Sequence, residues 1–148
     1  MFSFSRRPRM AEPAARVGDI EVRSPWVRCQ PDMPSVAGGF VTLTNTGSQP
    51  DRLVGAASPG ASKVEIHGIR VVGPGISMVP LKDGLYLHYV TTVEFKPRGY
   101  HLMLLLSAPL AVGARLPIEL VFERAGKVEI SCEVKPPGTI GEQVLHAS

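Results

Sequence analysis

The segment His101-Leu102-Met103 sets an imidazole and a thioether two residues apart. On a β-strand, residues i and i+2 share a face about 6.5–7 Å apart, so the two side chains can converge on one small ion. Leu102 and Leu104 then take the opposite, core face, which leaves His101 and Met103 toward the surface or a rim. Upstream, Val64 and Ile66 read as inward and turn Lys63, Glu65 and His67 outward, while Met78 shares a face with Ile76. If His67, Met78, His101 and Met103 meet, they offer two nitrogen and two thioether donors. Thioether sulfur is soft and neutral, and it selects Cu(I) over Zn(II), Mg(II) or Ca(II). It carries no proton, so only the two imidazoles would make binding pH-sensitive. Taken singly, each Met also fits a core-filling role and each His an exposed strand position.

Other chemistry has little support. The chain has no GxSxG, Walker loop, HExxH or dinucleotide fingerprint, and Gly73-Pro74-Gly75 reads as a turn between strands. No nucleophile has an evident base, so an enzyme is not expected. Cys29 and Cys132 are too far apart for a CxxC motif and fit either two small buried thiols or a structural disulfide.

The elements that would position these residues are strands. Fifteen Gly and fourteen Pro in 148 residues are too much punctuation for a helical bundle. Period-2 alternation predicts strands over 17–23, 26–30, 39–45, 52–57, 63–69, 76–79, 85–90, 92–96, 101–107, 116–123 and 127–135. Asn45-Thr46-Gly47-Ser48 and Arg124-Ala125-Gly126 read as hairpin turns. An all-β antiparallel sandwich or Greek-key barrel follows, because such strands bury a shared face only by packing sheet on sheet. The domain is expected over 17–135, between a disordered leader (1–16) and a short loose tail (136–148).

The net charge of +3 arises in that leader. Arg6, Arg7, Arg9 and Arg16 lie in the first sixteen residues, and the rest of the chain is balanced. A basic face for nucleic acid is therefore not expected. No run reaches the ~18 apolar residues of a membrane span, and no apolar stretch follows Arg6-Arg7 to make a readable signal peptide.

The spacing resembles that of the PCu(A)C periplasmic copper chaperones, whose pattern is His, ten residues, Met, about twenty-one residues, then His-x-Met. Here ten residues separate His67 from Met78, and twenty-two separate Met78 from His101-Leu102-Met103. Trp26-Val27-Arg28 resembles the family's early Trp-x-Arg strand. The stretch Gly38 to Gly47 resembles its aromatic-containing strand and Asn-Thr-Gly turn, and Phe95 to Leu104 the block opening the second half of the site. The resemblance covers roughly 17–135. It implies a cupredoxin-like β-sandwich holding one Cu(I) at an exposed site of His67, Met78, His101 and Met103. It also implies a periplasmic location and delivery to the copper-bearing subunit of cytochrome c oxidase, alone or with a thiol-containing copper partner, by a monomer. Copper buffering or resistance would need the same residues. Without metal, the chain reads as a β-sandwich interaction or assembly module, and a thiol oxidoreductase using Cys29 and Cys132 is a further reading. His88 is a possible extra ligand or an exposed strand residue, Met33 reads as a loop residue, and the tail offers only His146.

Overall fold

The computed structural model describes residues 12–30 and 32–140. Eleven strands follow in chain order: β1 (Ala15–Val17), β2 (Ile20–Gln30), β3 (Met33–Asn45), β4 (Asp51–Ala57), β5 (Ala61–Val72), β6 (Gly75–Pro80), β7 (Leu85–Leu87), β8 (Thr91–Glu94), β9 (His101–Leu106), β10 (Arg115–Phe122) and β11 (Gly126–Lys135). The fold is all-β, as the alternation predicts, and has the cupredoxin-like form that the resemblance implies. Its strands run β6-β5-β9-β3-β2-β11-β10-β4-β7, with β1 on β2 and β8 on β3. β11 and β2 pair in parallel and the other pairings are antiparallel. One core joins both halves, from Val22, Leu43, Leu102 and Leu104 to Leu53, Leu87, Ile118 and Leu120.

Several boundaries differ from the sequence reading. Val17 ends β1, and from Ile20 onward the expected strands 17–23 and 26–30 are one strand, β2, whose register against β3 shifts between Arg23 and Trp26. Pro25 has no N–H to give the ladder, and Ser24 takes a positive φ of 52° there, so the strand absorbs both in a bulge. Ala15 and Arg16, expected in the leader, pair with Val22 and Glu21. Residues 1–11 of the expected leader lie outside the described residues, as do 141–148 with His146. Met33 opens β3 instead of lying in a loop.

Arg124-Ala125-Gly126 does close the β10–β11 hairpin, with Gly126 at φ 97°. Asn45 to Ser48 does not close one, because β3 and β4 belong to different parts of the sheet. The buried Asn45 instead makes an Asx turn, its Oδ1 accepting from Gly47 N at 3.0 Å. Its Nδ2 donates to the carbonyls of Gln49 and Leu87, which ties the crossover to the end of β7.

Asp51 performs a similar task at the start of β4. Its Oδ1 accepts from Arg52 N at 2.7 Å and Arg124 N at 2.8 Å, and its Oδ2 from Ala125 N at 3.0 Å. Only 7% of the residue is exposed. Asp51→Ala leaves two N–H groups of the β10–β11 turn without their acceptor. Chemical denaturation should show a loss of about 2 kcal/mol, since both N–H groups are part-buried and each falls at the low end of the about 1–3 kcal/mol for an unsatisfied group; a loss below about 0.5 kcal/mol would contradict this account of the turn.

Candidate metal centre

The phase of β9 is set by Leu102 and Leu104, both fully buried. A one-residue slip would expose them and bury His101 and Met103 in their place. Each leucine contributes about 1.5–3 kcal/mol through burial, so the slip costs several kcal/mol. The same alternation on β5 turns Val64 and Ile66 inward, opposite Leu104 and Leu102, and Glu65 and His67 outward.

Antiparallel pairing then makes a two-by-two array on the outer face. His67 lies directly across from His101, and Glu65 across from Met103. The two imidazole rings are 5.2 Å apart between centroids and inclined at 52°. On the other side of β5, Met78 of β6 pairs with Ile69, two residues beyond His67 on the same face. Met78 and His101 line one cavity of about 200 Å³ together with Arg28, Gly38, Phe40 and Arg98. Three candidate donors are thus gathered by strand register and the fourth by a shared cavity.

Exposure is uneven across the four. Met78 is 40% exposed, His101 and Met103 are half-buried, and His67 is buried at 8%. The expectation of an exposed site fails at His67, which lies between Pro80 of β6 and His101 of β9 and has Glu65 of its own strand against its ring. His88 is not brought to this cavity; it is exposed and packs edge-on against Tyr86 and Tyr89. Cys29 is half-buried and Cys132 buried, and both are free thiols, so the disulfide alternative is not the one formed. Burial pushes the Cys132 thiol up to about 12, which leaves little thiolate for redox exchange.

Opposite Met103, Gly38 leaves the cavity open. A Cβ at that position would sit 3.0 Å from the Phe40 ring, which folds back over the strand. Phe40 in turn packs on Trp26, with ring centroids 4.5 Å apart, and the Arg28 guanidinium carbon lies 5.9 Å from its centroid. Arg28 Nη1 donates to the carbonyl of Thr139 at 2.9 Å, which fastens the first residues beyond β11 beside the cavity. The buried Arg28 Nε has no hydrogen-bond partner among the described residues. Lys63, Glu65 and Arg28 supply the surrounding charges; the period-2 alternation of β5 turns Lys63 and Glu65 outward with His67, but sequence alone assigns them no contact.

His101 Nδ1 lies 3.0 Å from the carbonyl oxygen of Gly99. A carbonyl only accepts, so Nδ1 carries the proton and Nε2 keeps the lone pair. Burial holds the His101 pKa below the ordinary 6.5; the charges of His67 and Arg28 act the same way, and the Gly99 carbonyl opposes them. The ring therefore stays neutral, and able to bind a metal, to lower pH than an ordinary histidine.

Structural relatives fit this description. The copper-bound PCuAC domain from PmoF2 is 30% identical, with a TM-score of 0.69, and the match covers 83% of this chain and 97% of that one. The Cu(I) form of DR1885 from Deinococcus radiodurans is 26% identical, with a TM-score of 0.63, over 87% of this chain and 84% of that one. Fold and spacing together define a PCuAC-type domain. Residues 20–134 match the LpqE-like family, which bears a lipoprotein name, and the chain belongs to this PCuAC-type family. A relative from Leifsonia xyli subsp. xyli, Lxx21020, also named as a lipoprotein, is 29% identical over 124 residues, 83% of this chain and 74% of its own. No helix among the described residues is long and apolar enough to cross a membrane.

Because the folded-state pKa of His101 is depressed, the unfolded chain binds the proton more readily. The contribution of this group to the stability of the metal-free protein is full above the unfolded pKa near 6.5. It is lost as pH falls through that value toward the folded one. NMR titration of the metal-free protein should give His101 a midpoint below 6.5; a midpoint at or above that value would contradict the burial argument.

Proposed function

We propose that this domain is a non-enzymatic carrier of one Cu(I), held by the imidazoles of His67 and His101 and the thioethers of Met78 and Met103. The observation that carries this reading is the direct pairing of His67 with His101, with Met103 on the same face and Met78 on the shared cavity. Two neutral nitrogens and two neutral sulfurs suit a soft monovalent ion and are poor ligands for Mg(II) or Ca(II). The copper-bound PmoF2 domain and the Cu(I) form of DR1885 support copper as the cargo.

Transfer, as distinct from storage, is supported by the surroundings of Met78. Ile69, Val71, Val72 and Ile76 on the same β5–β6 hairpin are all 44% exposed or more, an apolar margin suited to brief contact with an acceptor. The acceptor in this reading is the copper-bearing subunit of cytochrome c oxidase, reached directly or through a thiol-containing copper partner. The setting is extracytoplasmic and, in this reading, periplasmic, in keeping with the lipoprotein names of the family and of the Leifsonia relative.

Competition against a chromophoric Cu(I) chelator tests the site. One tight equivalent is expected, weakened in His101→Ala and in Met103→Ala by more than the about 10–100-fold that follows loss of a residue supporting a ligand. Stoichiometric binding of unchanged strength in both variants would remove these residues from the site.

A further inference from the structure

The two candidate histidines are held by different partners at different nitrogens. His101 is fixed at Nδ1 by the Gly99 carbonyl. His67 is fixed at Nε2, which lies 2.9 Å from Glu65 Oε1. Glu65 belongs to a line of three side chains along the outer face of β5, since its Oε2 takes the Lys63 ammonium at 2.8 Å. Both carboxylate oxygens therefore face donors, and the side chain remains one quarter exposed. The Lys63 ammonium on one oxygen and the His67 ring N–H within reach of the other fit a carboxylate, which only accepts.

We infer that Glu65 is the positioning residue of the copper site: its carboxylate holds the proton of His67 on Nε2, so that His67 offers Nδ1 to the metal while His101 offers Nε2. This rests on the Cu(I) reading above and deepens it. A carboxylate behind a metal-binding histidine fixes the ring's tautomer and raises the basicity of the nitrogen that binds. Here the bond also fixes the rotation of the ring, because Glu65 is two residues away on the same strand and face. The unlike choice of nitrogens has a geometric consequence. Nδ1 is the ring nitrogen nearer the backbone, so binding through it draws the ion toward β5. On its other side β5 pairs with β6, the strand that supplies Met78. Lys63 has a lesser part, since it engages the oxygen that does not touch His67.

The inference separates from the opposite role open to the same contact, in which Glu65 masks the binding nitrogen of His67 and must be displaced by copper. Long-range proton–nitrogen NMR of the metal-free protein reads the tautomers directly. Nε2–H is expected for His67 and Nδ1–H for His101; Nδ1–H at His67 would overturn the inference whether or not copper binds. Glu65→Ala should disperse the His67 tautomer signal and weaken Cu(I) by about 10–100-fold. Glu65→Gln, whose amide oxygen still accepts from Nε2, should recover the tautomer and most of the affinity. Since Glu65 is partly exposed, both variants should keep the wild-type fold, verified by their amide spectra. Unchanged or tighter Cu(I) binding in Glu65→Ala would overturn the positioning role and favour masking. Wild-type protein that takes up no Cu(I) would overturn the copper reading, and the metal-directed half of this inference with it, while the tautomer result stands on its own spectra.

Discussion

The register between β5 and β9 is the constraint on which the candidate site depends. It is held from the inside, by Val64 and Ile66 against Leu104 and Leu102, where removal of apolar surface from water outweighs anything the outer face contributes. The polar array outside is a by-product of that internal fit. Residues that touch no metal thus decide which donors face one another, and a change in the core would misplace donors more readily than a change on the surface.

The outer layer adds electrostatics to this geometry. Arg28, stacked over Phe40 and bonded to Thr139, puts a fixed positive charge near His101, and Glu65 puts a negative one beside His67. The two rings, equivalent in the sequence pattern, therefore sit in opposite fields. The cavity is completed by an omission, since any side chain larger than hydrogen at position 38 would press on the Phe40 ring.

Alternation made the strands legible, because side-chain direction has a strict period of two and Val, Ile and Leu mark the inward phase in the first half of β5 and in β9, β10 and β11. The spacing of His67, Met78 and His101-Leu102-Met103 was legible for the same reason. The fusion of two expected strands into β2 was hidden by Pro25, which ends most strands but here only bulges one. Asn45 was misleading because its amide suits a hairpin turn as well as a crossover, and the deciding partner, the Leu87 carbonyl, is distant in the chain. The burial of His67 depends on what flanks β5 on both sides, which is settled by pairing between remote segments. Glu65 faced the right way in the sequence reading, but its contact with His67 depends on side-chain rotamers that alternation does not specify.

Thirty-three residues separate His67 from His101, and Met78 lies on a hairpin between them. In an open chain these donors are held together by nothing local, and closing such a loop is entropically unfavourable until the flanking strands zip. An unstructured chain therefore presents a lone His67, a lone Met78 and the short His101–Met103 pair, each a weak and rapidly exchanging ligand set. The maturation of the polypeptide sets the clock for its metal chemistry: the sheet must be complete before the cargo can be held.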